Sequence, residues 1–451
     1  MTHVQPDIRR GWFSLLLLGT ALSSAACNNL LVAHDPDIID NAASPAGAIA
    51  LKNGVITRFQ AFTAGQQQPD AIFEFGGLLA DEWRSGDTFE QRNTVDSRTT
   101  NVTNSFLAGP FRSMQRTRND ARRAINQLRT FSPTPGTNIA LMFALTAFAE
   151  NQMGESFCNG IPFSDLTADG TDIIYGAPVS IDSAFRRAIN DADSAVANNT
   201  GSATEVARMA NLAALIKARA LLNRGQFGPA AAAVAGVPTS FVYQATYSIP
   251  TGDNQNWSLN VSGKRYVIAD QEGGNGLNFR TAADPRIPTS AGTVAFDGNT
   301  PYFFTTLWAR SDPVTVASGL EARLIEAEAA FQANDFAGFI DKLNVARAFR
   351  TATPLLPPLA DPGTAAARVD LLFRERAFWM FGTGHRLGDL RRLIRQYNRA
   401  PETVFPTGTF FKGGSYGTDV NFPISIDELN NPEVPQTPAT ISQSTCTDRN
   451  A

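Results

Sequence analysis

The chain has 451 residues, 43% of them hydrophobic and 18% charged, the balance of a folded globular protein and not of a disordered one. Its net charge of −4 leaves no basic excess to neutralise phosphates, which argues against non-specific nucleic-acid binding. Phenylalanine supplies 31 residues against 5 Trp and 7 Tyr, so most of the aromatic content reads as core and few residues remain as binding platforms.

Residues 1–26 read as a signal segment. Arg9 and Arg10 form a basic start, and "WFSLLLLGTAL" (12–22) is an apolar run of 11 residues, too short to span a bilayer as a helix. "SSAAC" then leads into Cys27, the order of a bacterial lipoprotein signal in which the cysteine is acylated. The alternative is ordinary cleavage after Ala25 or Ala26. Acyl chains at roughly 0.8 kcal/mol per buried methylene would hold residues 27–451, read as a single domain, to a membrane. With Cys27 set aside, Cys158 and Cys446 are an even pair in an exported, oxidising setting. A bridge between them is favoured over two unrelated thiols, and closing so long a loop would add on the order of 5 kcal/mol.

Helical signals dominate the chain beyond the signal segment. In 107–128, Leu107, Phe111, Met114, Ala121, Ile125 and Leu128 recur at three- and four-residue spacing, with arginines on the opposite face. Pro110 is expected in the first turn of that helix. "NIALMFALTAFAENQM" (138–153) reads as a buried helix ending at Gly154, and 180–198 as an amphipathic one capped by Ser180. The segment 75–93, with Trp83 and Arg84, looks irregular.

"IKARALLNRGQFGPAAAAV" (216–234) lies over "IEAEAAFQANDFAGFIDKL" (325–343) at a constant offset of 109. Small residues on a first helix, a short polar turn and an aromatic opening the second resemble the tetratricopeptide helix pair. Two such units so far apart predict one solenoid with an insertion looped out between them. Helix pairs are thus expected near 107–153, 180–234, 320–350 and 366–397. The insertion, about 237–315, holds short β-like runs, "SFVYQATYSI", "NWSLNV", "KRYVIAD" and "YFFTTLW", separated by Gly, Pro, Asn and Asp, and loops on a rigid frame are where binding usually lives. The tail 405–432 looks similarly irregular.

Catalytic chemistry is hard to place. Of three histidines, His3 leaves with the signal and His34 lies in a polar linker, so His385 stands alone; a histidine triad or multi-histidine metal site is excluded. "GGSYG" (413–417) matches G-x-S-x-G without a following histidine or helix and reads as a turn. Acidic pairs such as Asp81/Glu82 or Asp169/Asp172 are expected by chance among so many carboxylates. No cofactor or metal is expected, and no enzyme.

The order of several pieces resembles the SusD/RagB family of nutrient-uptake outer-membrane lipoproteins, over nearly the whole mature chain. After Cys27 come "FRSMQRTRNDARRAI", "MFALTAFAENQMGESFCNGIPFSD", the helix pair 216–234, "DPRIP" (284–288), "EARLIEAEAAF" (321–331) and "NFPISIDELNNPEV" (421–434). "GHR" (384–386) and "DLRR" (389–392) match the family's corresponding run, which makes His385 a hydrogen-bonded core residue. The chain departs from the family at Gly382, Thr383, Leu387 and Gly388. The resemblance implies a mostly α fold of tetratricopeptide-like helix pairs with a loop-rich face. It implies capture of oligosaccharide, or of peptide, and delivery to a SusC-like TonB-dependent barrel in the outer membrane, with the lipid anchor holding the protein on the exterior. A scaffold that binds only other proteins is the alternative. Sugar rings stack their C–H faces on aromatic rings while polar side chains bind the hydroxyls, which singles out Trp83 with Arg84, Trp257 and Tyr302 as ligand-binding candidates, each alternatively a core or loop anchor. Trp308 ranks lower, as part of a strand packed under the next helix, and Trp379 is excluded as a residue of a buried helix.

Overall fold

The computed structural model describes residues 43–66, 69–167, 172–349, 355–435 and 446–451; Cys27 with the signal segment, His34 and Asp169 lie outside them. Helix α1, Pro45–Ala64, starts where the Ser44 side chain accepts from the Gly47 N–H, with proline in its first turn. The segment expected to be irregular is ordered by α2, Ile72–Leu79, strand β1, Trp83–Ser85, and α3, Glu90–Asp96. The buried run Ile72–Leu79 has the length of one short core helix, which alternation alone does not distinguish from a loop anchor.

Helix α4, Ser105–Phe131, buries every apolar residue of its predicted stripe and packs on α1. Pro110 lies in its second turn, since Asn104 caps the helix one turn earlier than the spacing suggested. Helix α5, Thr137–Ser156, is buried over most of its surface and runs past Gly154. That glycine faces the Phe185 ring, where a Cβ would come within 2.6 Å, so it permits close helix contact instead of ending the helix. Two short ladders follow, β2 (Ile161–Pro162) with β5 (Pro178–Val179) and β3 (Asp165–Leu166) with β4 (Ile173–Ile174). Ser180 caps α6, Ile181–Ala197.

The internal repeat becomes two helix pairs, α7 (Ala203–Asn223) with α8 (Phe227–Val234), and α10 (Gly319–Gln332) with α11 (Phe336–Ala348). Gly225 and Asn334, 109 positions apart, both adopt the left-handed conformation (φ +71° and +61°). The same turn is therefore built twice, by the two residue types that best tolerate it. Helix α10 packs on α8 and α7, so the intervening chain is looped out of a continuous helical stack.

The insertion carries β6 (Val242–Ala245), α9 (Gln255–Trp257) continuing into a π-helical turn (Ser258–Ser262), β7 (Tyr266–Ile268), β8 (Thr289–Val294), β9 (Pro301–Thr305) and β10 (Val314–Ser318). "NWSLNV" is thus helical and not β: Asn254 caps it through Trp257 N–H, 3.3 Å, and a capping side chain outweighs a weak alternation. Trp308 lies beyond β9 and is not in a strand. Strand β1 pairs with β7, β8 with β9 and β10 with β6, all antiparallel.

Helix α12, Ala365–Trp379, and α13, Arg386–Tyr397, flank the break at Gly382 and Gly384, whose φ values are +68° and +78°. A Cβ on Gly384 would meet the Phe73 ring at 2.2 Å, so the turn needs glycine for both reasons. The charges around it are paired internally: Arg376 with Asp389, Arg392 with Glu328 and Asp389, Arg386 with Asp81, and Glu375 with Arg286 and Arg347. His385 is 6% exposed and its Nδ1 lies 2.8 Å from Thr383 Oγ1. It is scaffold. Cys158 and Cys446 are joined in a disulfide with Cα atoms 5.7 Å apart, which brings the last residues back to the segment after α5.

Candidate functional site

The β1–β7 ladder joins the N-terminal segment to the insertion, and just beyond its end the two segments open into a cavity. Gly86 N–H still bonds Arg265 carbonyl at 2.8 Å; from there one side continues through Phe89 and Arg92 and the other through Arg265 back to the π-helical turn. The cavity, about 450 Å³, is walled by Phe89, Phe106, Arg92, Arg265, Gln66, Pro69 and by one face of the 255–263 helix. Its size is that of a small-ligand site.

A charge cluster holds the floor. Arg92 donates to both oxygens of Asp70, 2.6–2.9 Å, and also to Asp87. Arg265 Nη1 reaches Asp87 Oδ1 at 2.7 Å, and Tyr266 donates to Asp70 at 3.2 Å. Burial works against the charge on Asp87, yet Arg92 and Arg265 hold its carboxyl below the usual range. Burial wins at Asp70, which is raised in spite of Arg92. Gln255 is tied to the Ala71 N–H and the Pro69 carbonyl, which fixes the helix that forms the far wall.

The aromatic surfaces are phenylalanines. Phe89, 44% exposed, meets Phe106 edge-on at 5.7 Å, and Phe296, 49% exposed, lies against Arg265 outside the cavity lining. The Arg265 guanidinium is stacked between Phe296 (3.7 Å) and Phe89 (5.1 Å). Its Nη1 is bound to Asp87, while its Nε and Nη2 have no hydrogen-bond partner among the described residues. Exposed ring faces beside a fixed guanidinium, with Ser258, Ser262 and Gln66 around them, suit a ligand that has both apolar faces and hydroxyl edges.

None of the four residues singled out from sequence lines this cavity. Trp83 is 1% exposed and packs on Tyr266 and Phe381, so it is core and not a platform. Tyr302 is buried too, donating to the Asn260 carbonyl at 2.7 Å. Arg84 is committed to Glu272 at 2.6 Å and stacks on Phe411. Trp257 is half-buried on the wall helix, but Gln255, Ser258, Leu259 and Ser262 supply the lining. The segments that hold Trp83 and Trp257 do border the cavity, through other side chains. Phe89 and Phe296 escape any argument that treats phenylalanine as core filler; a usable signal is their setting, "GDTFEQ" and "AFDGN", where polar and turn residues flank a single ring. Trp308 and Trp379, ranked low or excluded on sequence, both line a second cavity. Among the described residues no group of three His, Cys, Asp or Glu side chains could hold an ion; Asp169, paired with Asp172 in the sequence, lies outside them. Among them, too, no helix is long and apolar enough to cross a membrane.

No protein-family model matches the chain, and no curated protein matches it in sequence. Its fold does have solved counterparts. A SusD-like carbohydrate binding protein from Bacteroides fragilis superposes with a TM-score of 0.65 at 14% identity, covering 87% of this chain and 99% of that one. A SusD superfamily protein from Bacteroides thetaiotaomicron gives 0.62 at 12% identity, covering 88% and 100%. A SusD-like carbohydrate binding protein from Bacteroides vulgatus gives 0.55 at 13%, covering 77% and 83%.

Proposed function

We propose, from a chain with the mostly α, SusD-like fold, that this protein captures oligosaccharide at the cavity between Phe89, Phe106 and Arg265 and passes it on unchanged. The observation that carries the reading is the pair of exposed phenylalanines with a guanidinium fixed between them, on loops set in a rigid helical frame. Sugar rings would lie on the phenylalanine faces, and their hydroxyls would bind the remaining N–H groups of Arg265 and the Ser258 and Ser262 side chains. A scaffold that binds only proteins would instead present a concave helical groove without an aromatic loop site. Solved proteins of the same fold that carry the description carbohydrate binding support the ligand class; a peptide is the other ligand of this shape and polarity.

The rest of the role is also part of the proposal. Cys27, acylated, would anchor the protein to the outer membrane facing the exterior, where a SusC-like TonB-dependent barrel would take up the captured ligand. A glycan array probed with the full chain tests the capture: binding confined to one linkage class is expected, and an array without a bound glycan would overturn it. A pull-down from native outer membranes, with wild type and Cys27→Ser in parallel, tests the delivery. Recovery of a large barrel by the wild type alone is expected; a wild-type protein that is soluble and partnerless would contradict it.

A further inference from the structure

The cavity beside Phe89 has a charge bias. Of the described residues that line it, only Arg92 and Arg265 are charged. Asp70 and Asp87, which pair with them, lie outside the lining. Burial raises the Asp70 carboxyl in spite of Arg92, so the two acids offset the two guanidiniums only in part. The exposed Lys264, next to Arg265, has its ammonium over the Tyr302 ring at 5.7 Å and no carboxylate partner among the described residues. Glu90, the acid beside Phe89, lines a separate, smaller pocket with Gln91 and Thr94.

Arg265 is held so that one edge of its guanidinium stays free. The π-helical turn closes with the Gly263 N–H on the Ser258 carbonyl at 2.7 Å, and the Arg265 N–H bonds the Leu259 carbonyl at 2.8 Å. The turn that supplies Ser258 and Ser262 to the wall therefore also sets the arginine, and π-helical turns recur at functional sites. The guanidinium lies between Phe296 and Phe89, and its Nη1 donates to both oxygens of Asp87. Nε and Nη2 have no partner among the described residues, and neither is among their buried unpaired atoms; the side chain is 24% exposed. A carboxylate pairs with such an edge through two parallel N–H···O bonds, each roughly twice as strong as a bond between neutral groups. Rings beside the guanidinium favour approach in its own plane, which suits a planar carboxylate better than a tetrahedral sulfate.

We propose that the sugar recognised here is acidic: a uronic-acid residue whose carboxylate accepts from Arg265 Nε and Nη2, with its ring on Phe89 and its hydroxyls on Ser258 and Ser262. This inference rests on oligosaccharide capture at the same cavity and narrows it to one ligand class. The carboxylate, and not a pair of hydroxyls, takes the free guanidinium edge.

Calorimetric titration of the full chain tests it, with oligomers of galacturonate, glucuronate and mannuronate, each beside its carboxyl-reduced neutral counterpart, and with a sulfated galactose oligomer. At least one uronate oligomer is expected to bind at least about tenfold more tightly than its reduced counterpart, and to weaken as salt rises. Arg265→Lys keeps the charge and loses the planar edge, so it should bring that ratio close to one. The reduced sugars are compared on the unaltered protein, which keeps the test valid should the variant misfold. Equal binding of the reduced sugars, or preference for the sulfated oligomer over every uronate, would overturn the inference and leave oligosaccharide capture standing. So would a glycan array on which every bound glycan is neutral. An array without any bound glycan would overturn both.

Discussion

Trp83 and Phe89 stand six residues apart and exchange the roles their chemistry suggested: the indole fills the core and the phenylalanine faces solvent. Trp83→Ala is therefore expected to cost about 3–5 kcal/mol of stability, as large buried aromatics do, with no specific effect on ligand affinity once the variant is folded. Urea unfolding and a parallel titration check this. A second buried group sets a pH dependence. Burial raises the Glu82 carboxyl to about 8, only partly offset by the Gly382 N–H and Arg386. From its ordinary value near 4.5 up to about 8, the folded chain keeps a proton that the unfolded chain has released, so this group's contribution to stability falls as pH rises through that window. Glu82→Gln should flatten that decline by a few kcal/mol between about pH 5 and pH 8, measured by urea unfolding at both. Asp389 acts elsewhere. Against the cost of its burial, Arg376 and Arg392 hold it at about 2, so its stabilisation is lost only as pH falls below the usual aspartate value near 3.8.

At the scale of elements, the bond between Cys158 and Cys446 gathers several others. Asn159 exchanges backbone hydrogen bonds with Thr447 and Asp448, and Asn421 binds the Arg449 and Asn450 carbonyls. Cys446→Ser is expected to lower stability by about 2–5 kcal/mol and to release residues 446–451 to hydrogen exchange; unchanged exchange there would mean the hydrogen bonds alone hold the tail. The long helices are legible in the sequence because each satisfies a periodic stripe, a cap and a stop at once, as α6 does with Ser180. The repeat is legible because α7–α8 and α10–α11 reuse one packing solution down to the left-handed residue in the turn. Short elements whose shape is set by partners distant in the chain are not. Strand β1 exists because Tyr266–Ile268 lies beside it, and α9 because Asn254 turns back to cap it. Binding residues are the hardest to read. Whether a lone ring in a loop faces solvent depends on how two segments 176 residues apart are brought together, as Phe89 and Arg265 are.

For the whole molecule, the division of labour is between a helical stack locked by buried ion pairs and a face of paired loops mounted on it. Arg219 with Glu321 and Arg392 with Glu328 tie the repeats and the final helices together with almost no exposure; removing one partner of such a pair would leave a buried charge, at about 3–5 kcal/mol. That rigidity suits a surface that holds a ligand without reshaping it, since little ordering cost remains to be met on binding. The central claim is that the oligosaccharide lies on Phe89 and Phe296. Calorimetry with an array-selected oligosaccharide, comparing wild type with the Phe89→Ala/Phe296→Ala variant, tests it most directly. We predict an affinity loss of at least about tenfold with only a small drop in the thermal midpoint, because both rings are about half exposed; undiminished binding by the double variant would contradict the account.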